Sequence, residues 1–244
     1  MADIINSIYN SGWNGFFNNA KFVDVTNLSL SAGENDLYTV PTGKRALVPY
    51  VLSTYNNSGS TCTYQAKIKV GGTRYIISSA VGIGNNSGST MNYRSLVLEA
   101  GESLCMSSSN AGSCALGWVI EFDDNSPMKS FKNFNVVNGN VTLYTCPSGK
   151  TAKMFNLVET AAAAGSAAAT INPTATGVNL TMYLVPSGQS VGVNYQNQQA
   201  TGIFALADSV DAPIGGIMAA GDFIAANNPN ASNQLYVWGI VIEQ

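Results

Sequence analysis

From Thr26 to the carboxyl end, apolar and polar residues alternate in short runs. The clearest, Thr63-Tyr-Gln-Ala-Lys-Ile-Lys-Val70, puts Tyr64, Ala66, Ile68 and Val70 on one side and polar side chains on the other. A period of two is that of a strand with one buried and one wet face. Leu116, Trp118, Ile120 and Phe122 read as another inward face, matched later by Trp238, Ile240 and Ile242. Between the runs stand turn formers. In Pro41-Thr-Gly-Lys44 and Pro147-Ser-Gly-Lys150, Pro41 and Pro147 are expected to pre-set φ at the second turn position. Gly43 and Gly149 then supply a positive φ or close the turn. Gly101 and Gly221, in Ala100-Gly101-Glu102 and Ala220-Gly221-Asp222, are expected to do the same later. Short strands at regular spacing with such turns indicate a β-sandwich.

The same pieces occur twice, in the same order. Leu37-Tyr-Thr-Val-Pro-Thr-Gly-Lys-Arg-Ala46 returns as Leu143-Tyr-Thr-Cys-Pro-Ser-Gly-Lys-Thr-Ala152, and Gly117-Trp-Val-Ile-Glu121 returns as Gly239-Ile-Val-Ile-Glu243. Units of roughly 100 residues are an ordinary domain size and far longer than solenoid repeats. The pattern therefore predicts an all-β chain of two tandem, duplicated jelly-roll-like β-sandwich domains. They are expected over 26–125 and 126–244, behind an amino-terminal arm of residues 1–25. The echo offset grows from 106 (Leu37 to Leu143) to 120 (Gly101 to Gly221), so the second copy gained 14 residues in its middle. The alanine-rich stretch from Thr160 to Thr170 is the expected place, as a loop.

The arm is dense in large apolar groups: Ile4, Ile5, Ile8, Trp13, Phe16, Phe17, Phe22 and Val23. One reading has it cover the first domain's own core. The other has it dock aromatic side chains, with Trp13, Phe16 and Phe17 as anchor, into a neighbouring subunit, since Trp and Phe dominate interface energetics.

Composition narrows the function. Charged residues are 10% of the chain, against roughly 25% in ordinary globular proteins. Asn, Ser, Thr and Gly solvate the surface instead. The 11 Lys and Arg are scattered and the net charge is −3, so there is no basic stripe for a nucleic-acid backbone. No run nears the ~18 apolar residues of a membrane helix, and no secretory signal is expected at the amino end. The chain has no histidine. That removes the Ser-His-Asp and Cys-His constellations and imidazole metal ligands. The carboxylates do not converge, and Asp123-Asp124 and Asp208/Asp211 read as turn residues before they read as calcium ligands. No enzyme activity, metal or cofactor is expected. Cys146 stands where the first copy has Val40, and Cys105 where the second has Ala225, which is how small buried hydrophobes behave. A Cys105–Cys114 bridge across one hairpin is left open.

The strings Leu37-Tyr-Thr-Val-Pro-Thr-Gly-Lys-Arg-Ala-Leu-Val48, Leu98-Glu-Ala-Gly-Glu-Ser-Leu104 and Gly117-Trp-Val-Ile-Glu121 resemble small virion structural proteins of tailed bacteriophages. In particular they resemble the jelly-roll or β-sandwich modules of capsid decoration (cement) proteins and of some head or tail fibres. The resemblance covers both repeats and rests on turn motifs, so it carries over no catalytic residue. It implies a homotrimer that assembles in the bacterial cytoplasm, attaches to the major capsid protein and resides on the capsid surface. The alternative from the same residues is a fibre or receptor-binding module that takes glycans on exposed aromatics such as Tyr55, Tyr93 and Tyr195.

Overall fold

The computed structural model describes residues 17–49, 51–78, 80–92, 96–136, 139–163, 178–191, 197–204, 217–228 and 233–244. Among them every regular element is a strand, and every pairing is antiparallel. The chain divides into two compact units, Met1–Pro127 and Met128–Gln244.

Unit 1 opens with β1 (Lys21–Asp24), β2 (Asn27–Leu30), β3 (Gly33–Thr39), β4 (Lys44–Val48) and β5 (Val51–Asn56). There follow β6 (Cys62–Val70), β7 (Thr73–Ile76), β8 (Val81–Ile83), β9 (Ser87–Asn92) and β10 (Leu96–Leu98). It closes with β11 (Ser103–Ser108), β12 (Ser113–Leu116) and β13 (Trp118–Asp123). Unit 2 holds β14 (Met128–Val136), β15 (Gly139–Thr145), β16 (Ala152–Ala163), β17 (Val178–Val185) and β18 (Asn197–Phe204). Its last strands are β19 (Ile217–Met218), β20 (Phe223–Asn228) and β21 (Asn233–Glu243).

In unit 2 the sheet orders are β14-β21-β16-β19 and β15-β20-β17-β18. Numbered one to eight along the unit, the orders are 1-8-3-6 and 2-7-4-5, the double Greek key of a jelly roll. The two sheets face each other across one core. Phe131, Ala152, Met218, Val237 and Val241 come from the first sheet, and Ile224, Ala226 and Leu184 from the second. Unit 1 repeats both orders as β1-β13-β4-β10 and β3-β11-β6-β7. Its third sheet, β2-β12-β5-β9, continues the first one, strand for strand. The strands that run 12 and 11 residues unbroken in unit 2, β16 and β21, are cut in unit 1. One break follows Val48 at Pro49, a residue without an N–H to give the ladder. Another falls at Gly117, where a Cβ would lie 2.6 Å from Leu52 Cδ2. The Val25 amide still donates to the Gly117 carbonyl at 3.0 Å, bridging the break on the neighbouring strand.

Three expectations change. The segment set apart as an arm supplies β1, whose Lys21–Asp24 pair with Trp118–Glu121 of β13. Phe17 to Ala20 precede it as part of unit 1, with the Asp123 amide donating to Asn18 O and the Asn18 amide to Ser126 Oγ. The alanine run is not all loop: Thr160–Ala163 continue β16 against Asn233–Tyr236 of β21, because ladder pairing outweighs the local preference of alanine. Residues 164–177 lie outside the described residues. Finally, Leu116 and Trp118 do not face the sandwich interior. Gly117 points at Leu52 and Val25, both buried, so its two neighbours point outward.

Candidate functional site

The repeated turns form a shared framework at one end of each unit. In unit 1 the Lys44 amide donates to Pro41 O at 3.2 Å and Glu102 to Glu99 O at 3.0 Å. Gly43 and Gly101 sit at the third position of their turns, with φ +75° and +83°, the geometry of type II. Pro41 therefore takes the first turn position, not the second as expected. The Gly101 amide donates to Val40 O, and the Val40 amide to Glu102 O, both at 2.9 Å, which ties the two turns together. Unit 2 repeats each bond: Lys150 to Pro147 O, Asp222 to Ala219 O, Gly221 to Cys146 O and Cys146 to Asp222 O. Gly149 and Gly221 have φ +72° and +86°. The side chains at this end also match. The Tyr38 hydroxyl donates to Glu121 Oε2 at 2.6 Å, and the Tyr144 hydroxyl to Glu243 Oε1 at 2.9 Å. Burial, then the facing carboxylate, pushes both phenols up. Burial alone would raise the Glu121 carboxyl, but Lys21 (2.8 Å away) and Tyr38 outweigh it and hold it below its ordinary value. These acids position strands; no second carboxylate faces them among the described contacts.

Of the anchor residues, Trp13 and Phe16 lie outside the described residues. Phe17 is only 6% exposed. Its ring meets Phe122 edge-on at 4.9 Å between centroids. That packing against Phe122 is the contact the covering reading of the arm asks of this residue. Tyr93 and Tyr195 also lie outside the described residues.

Phe17 covers one end of an apolar stripe on the outer face of β13. Phe122 is buried and Ile120 nearly so, but Trp118 is 42% exposed and Leu116, across Gly117, 39%. Phe22 of β1 packs edge-on against Trp118 at 4.9 Å. On β5, paired with β12, Tyr55 stands opposite Cys114 and one step diagonal from Leu116, and is 41% exposed. Leu28 on the edge strand β2 is the most open of the group. The corresponding residues of β21, Trp238, Ile240 and Ile242, are buried. Large exposed apolar groups gathered on one face mark a contact surface far better than the same groups scattered.

The outer face of the other sheet in unit 1 is charged. Lys67 pairs with Glu34, Lys69 with Asp36 at 3.0 Å and Arg74 with Asp36 at 2.6 Å. The buried Cys105 thiol donates to Asp36 Oδ1 at 3.1 Å. Burial pushes Asp36 up, yet Arg74, Cys105 and Lys69 together bring it down to about 2. Burial and Asp36 push the Cys105 thiol up to about 12. This is an ion-pair lattice across three strands, built from the polar positions of the alternating runs. In β20 and β17, Ala225 and Val185 take the places of Cys105 and Lys69. All four cysteines are free thiols, so Cys105 and Cys114 are not bridged. No group of three or more acidic or cysteine side chains able to hold a metal occurs among the described residues. No helix of the described residues is long and apolar enough to cross a membrane.

No family model and no curated protein matches the chain. Among solved structures it is similar to the major capsid protein P2 of bacteriophage PM2, at 9% identity over 92% of this chain and 97% of that one, TM-score 0.31. It is also similar to a chain of the T13 IBDV viral particle, at 7% identity and TM-score 0.30; the alignment covers 93% of this chain and 39% of that one. A third is the CBM22-1-CBM22-2 tandem domain of Paenibacillus barcinonensis Xyn10C, at 10% identity over 92% of each chain, TM-score 0.26. These likenesses are of β architecture and carry nothing about what this chain binds.

Proposed function

We propose that this chain is a virion structural protein, a capsid decoration (cement) protein of a tailed bacteriophage. It binds the shell of the major capsid protein, stabilises it, and catalyses nothing. The observation that carries the reading is the open stripe Trp118, Leu116 and Tyr55 on a unit whose other features are framework. Such a face serves contact between proteins. The charge-poor surface and the resemblance of the turn strings to decoration proteins support the same reading. The repeated framework bonds support duplication of one domain. A homotrimer on the capsid surface, assembled in the host cytoplasm, completes the proposal.

Attachment is proposed to run through the amino-terminal segment, with Trp13 and Phe16 as anchor. Deleting residues 1–16 keeps Phe17 in the chain together with its edge-on partner Phe122. It is expected to abolish binding to heads that lack the protein while unit 1 keeps its stability. Undiminished binding by the shortened chain refutes the anchor. A second reading, glycan binding, draws on Tyr55 and Trp118, the exposed aromatics among the described residues, whose rings would stack on sugars. Saturable binding to host-surface polysaccharide, lost in Trp118→Ala, would favour it.

A further inference from the structure

Unit 1 buries one thiol among hydroxyls. Cys62 opens β6, is fully enclosed and is a free thiol. Ser108 Oγ of β11 lies 3.1 Å from its sulfur, Ser109 Oγ 3.6 Å and Ser113 Oγ of β12 3.8 Å. The Ser108 proton also reaches Asn110 O at 2.7 Å. The Thr63 amide donates to Ser109 Oγ at 3.0 Å, which leaves the Ser109 proton for the sulfur. Burial pushes the Cys62 thiol up, but Ser108, Tyr64, Ser109 and the Asn110 amide outweigh it and bring it down to about 6. Hydrogen bonds to the charged form favour that form. The other two buried thiols are set the opposite way. Cys105 donates to a carboxylate oxygen, Asp36 Oδ1, and Cys146 faces the carbonyls of Lys150 and Met218 at 3.4 and 3.8 Å. Acceptors of that kind keep a thiol protonated.

Tyr64 supplies an independent sign of a ligand. Two residues along β6, it points to the same side as Cys62 and is fully enclosed. Its hydroxyl faces Cys62 and Ser113, yet has no hydrogen-bond partner among the described residues. Burial, then Cys62, pushes the phenol up to about 12, so it remains a donor. A buried donor without an acceptor costs stability. The framework does not require this arrangement, since Val178 and Leu180 stand at the corresponding places of β17.

We propose that Cys62 is a modification site for small hydroperoxides, its oxygenated form held by the Tyr64 hydroxyl and the serine hydroxyls around the sulfur. In the step, the Cys62 thiolate, its proton already given to solvent, attacks one peroxide oxygen. An S–O bond forms as the O–O bond breaks, and the electron pair leaves with the second oxygen. That oxygen takes a proton from solvent and departs as water, or as an alcohol from an alkyl hydroperoxide. Sulfur is oxidised by two electrons to sulfenic acid, and the peroxide is reduced by two. The new oxygen is an acceptor, which is what the Tyr64 hydroxyl lacks. Access fits a small reagent. Ser109, whose hydroxyl touches the sulfur, is itself exposed, and exposed side chains change rotamer in picoseconds to nanoseconds.

The test exposes the full chain to hydrogen peroxide for graded times, quenches with catalase and unfolds it in urea with dimedone. Tandem mass spectrometry then reads each cysteine. Dimedone adducts are expected at Cys62 several-fold faster than at Cys105 and Cys146. Cys105 is the sharper control: it lies on β11, the strand paired with β6, so opening of that sheet would expose both thiols alike. Equal labelling of Cys62 and Cys105, or no label at Cys62, would overturn the proposal. Tyr64→Phe adds a second arm. It keeps the ring and deletes a hydroxyl without a partner, so unit 1 is expected to stay folded, checked by hydrogen exchange on β6. The Cys62 adduct is expected to fall several-fold, with Cys114 unchanged. A Tyr64→Phe protein labelled like the parent at Cys62 would also overturn the proposal, since the phenol would then hold nothing.

Discussion

Truncating Phe17 to alanine separates a residue of the unit's own fold from a free anchor. The ring is almost wholly enclosed and meets Phe122 edge-on. Aromatic side chains bury about 150–250 Å². At ~25 cal/mol per Å² the lower end of that range corresponds to about 4 kcal/mol. Roughly 1 kcal/mol returns as side-chain freedom, leaving a loss of about 3 kcal/mol, at the low end of Phe→Ala effects in cores. Native-state hydrogen exchange on the full chain reads this locally. Amides of β13 paired with β1 and β4 should lose about a hundredfold in protection, since each 1.4 kcal/mol is a factor of ten. Amides of β21 paired with β14 and β16 belong to the other unit and serve as the internal control. Unchanged protection on β13 would refute the reasoning, because it would mean that Phe17 contributes nothing to unit 1.

Four further outcomes follow from the geometry. Gly43→Ala and Gly149→Ala, each at a φ above +70° with open space around the Cβ, should each cost about 1–2 kcal/mol through backbone strain alone, read from urea unfolding. Gly117→Ala places a Cβ 2.6 Å from the buried Leu52, and should cost about 1–3 kcal/mol as overpacking, with a lowered Tm. Tyr144→Phe removes the donor that faces Glu243 and should cost about 1–2 kcal/mol at neutral pH, measured by the same unfolding assay. Asp36 is held at about 2 in the folded protein, against ~3.9 unfolded. A depressed carboxyl pKa stabilises fully above the unfolded value and loses that contribution as pH falls from about 4 through 2. Acid titration of unit 1, followed by exchange on β6 and β11, should show that loss, and Asp36→Asn should remove it.

Strand and turn were legible because each depends on local chemistry. The alternation in Thr63–Val70 became β6, with Tyr64, Ala66 and Ile68 buried as read. The glycines of the repeated turns took the positive φ that their sequence context asks for. The face of β13 was not legible from periodicity. Its two alternating sets, Val119 with Glu121 and Ile120 with Phe122, are all buried, so alternation cannot say which set meets the other sheet. The glycine at 117 held the answer, because only a residue without a side chain fits against Leu52. The Tyr38–Glu121 and Tyr144–Glu243 bonds had a signal as well: tyrosine and glutamate recur together in the echoed strings. Nothing local announces them as partners, since 83 and 99 residues separate the two members of each pair. The ion-pair lattice around Asp36 was hidden for the same reason. Its members lie on β3, β6 and β7, and only the sheet order brings them together.

The central claim is attachment to a shell, and co-sedimentation of the purified full chain with phage heads lacking it tests that most directly. Saturable binding at a fixed number of copies per capsomer is expected, with a ratio that reports the symmetry of the site. Absence of binding at saturating protein, with both units folded by hydrogen exchange, would contradict it.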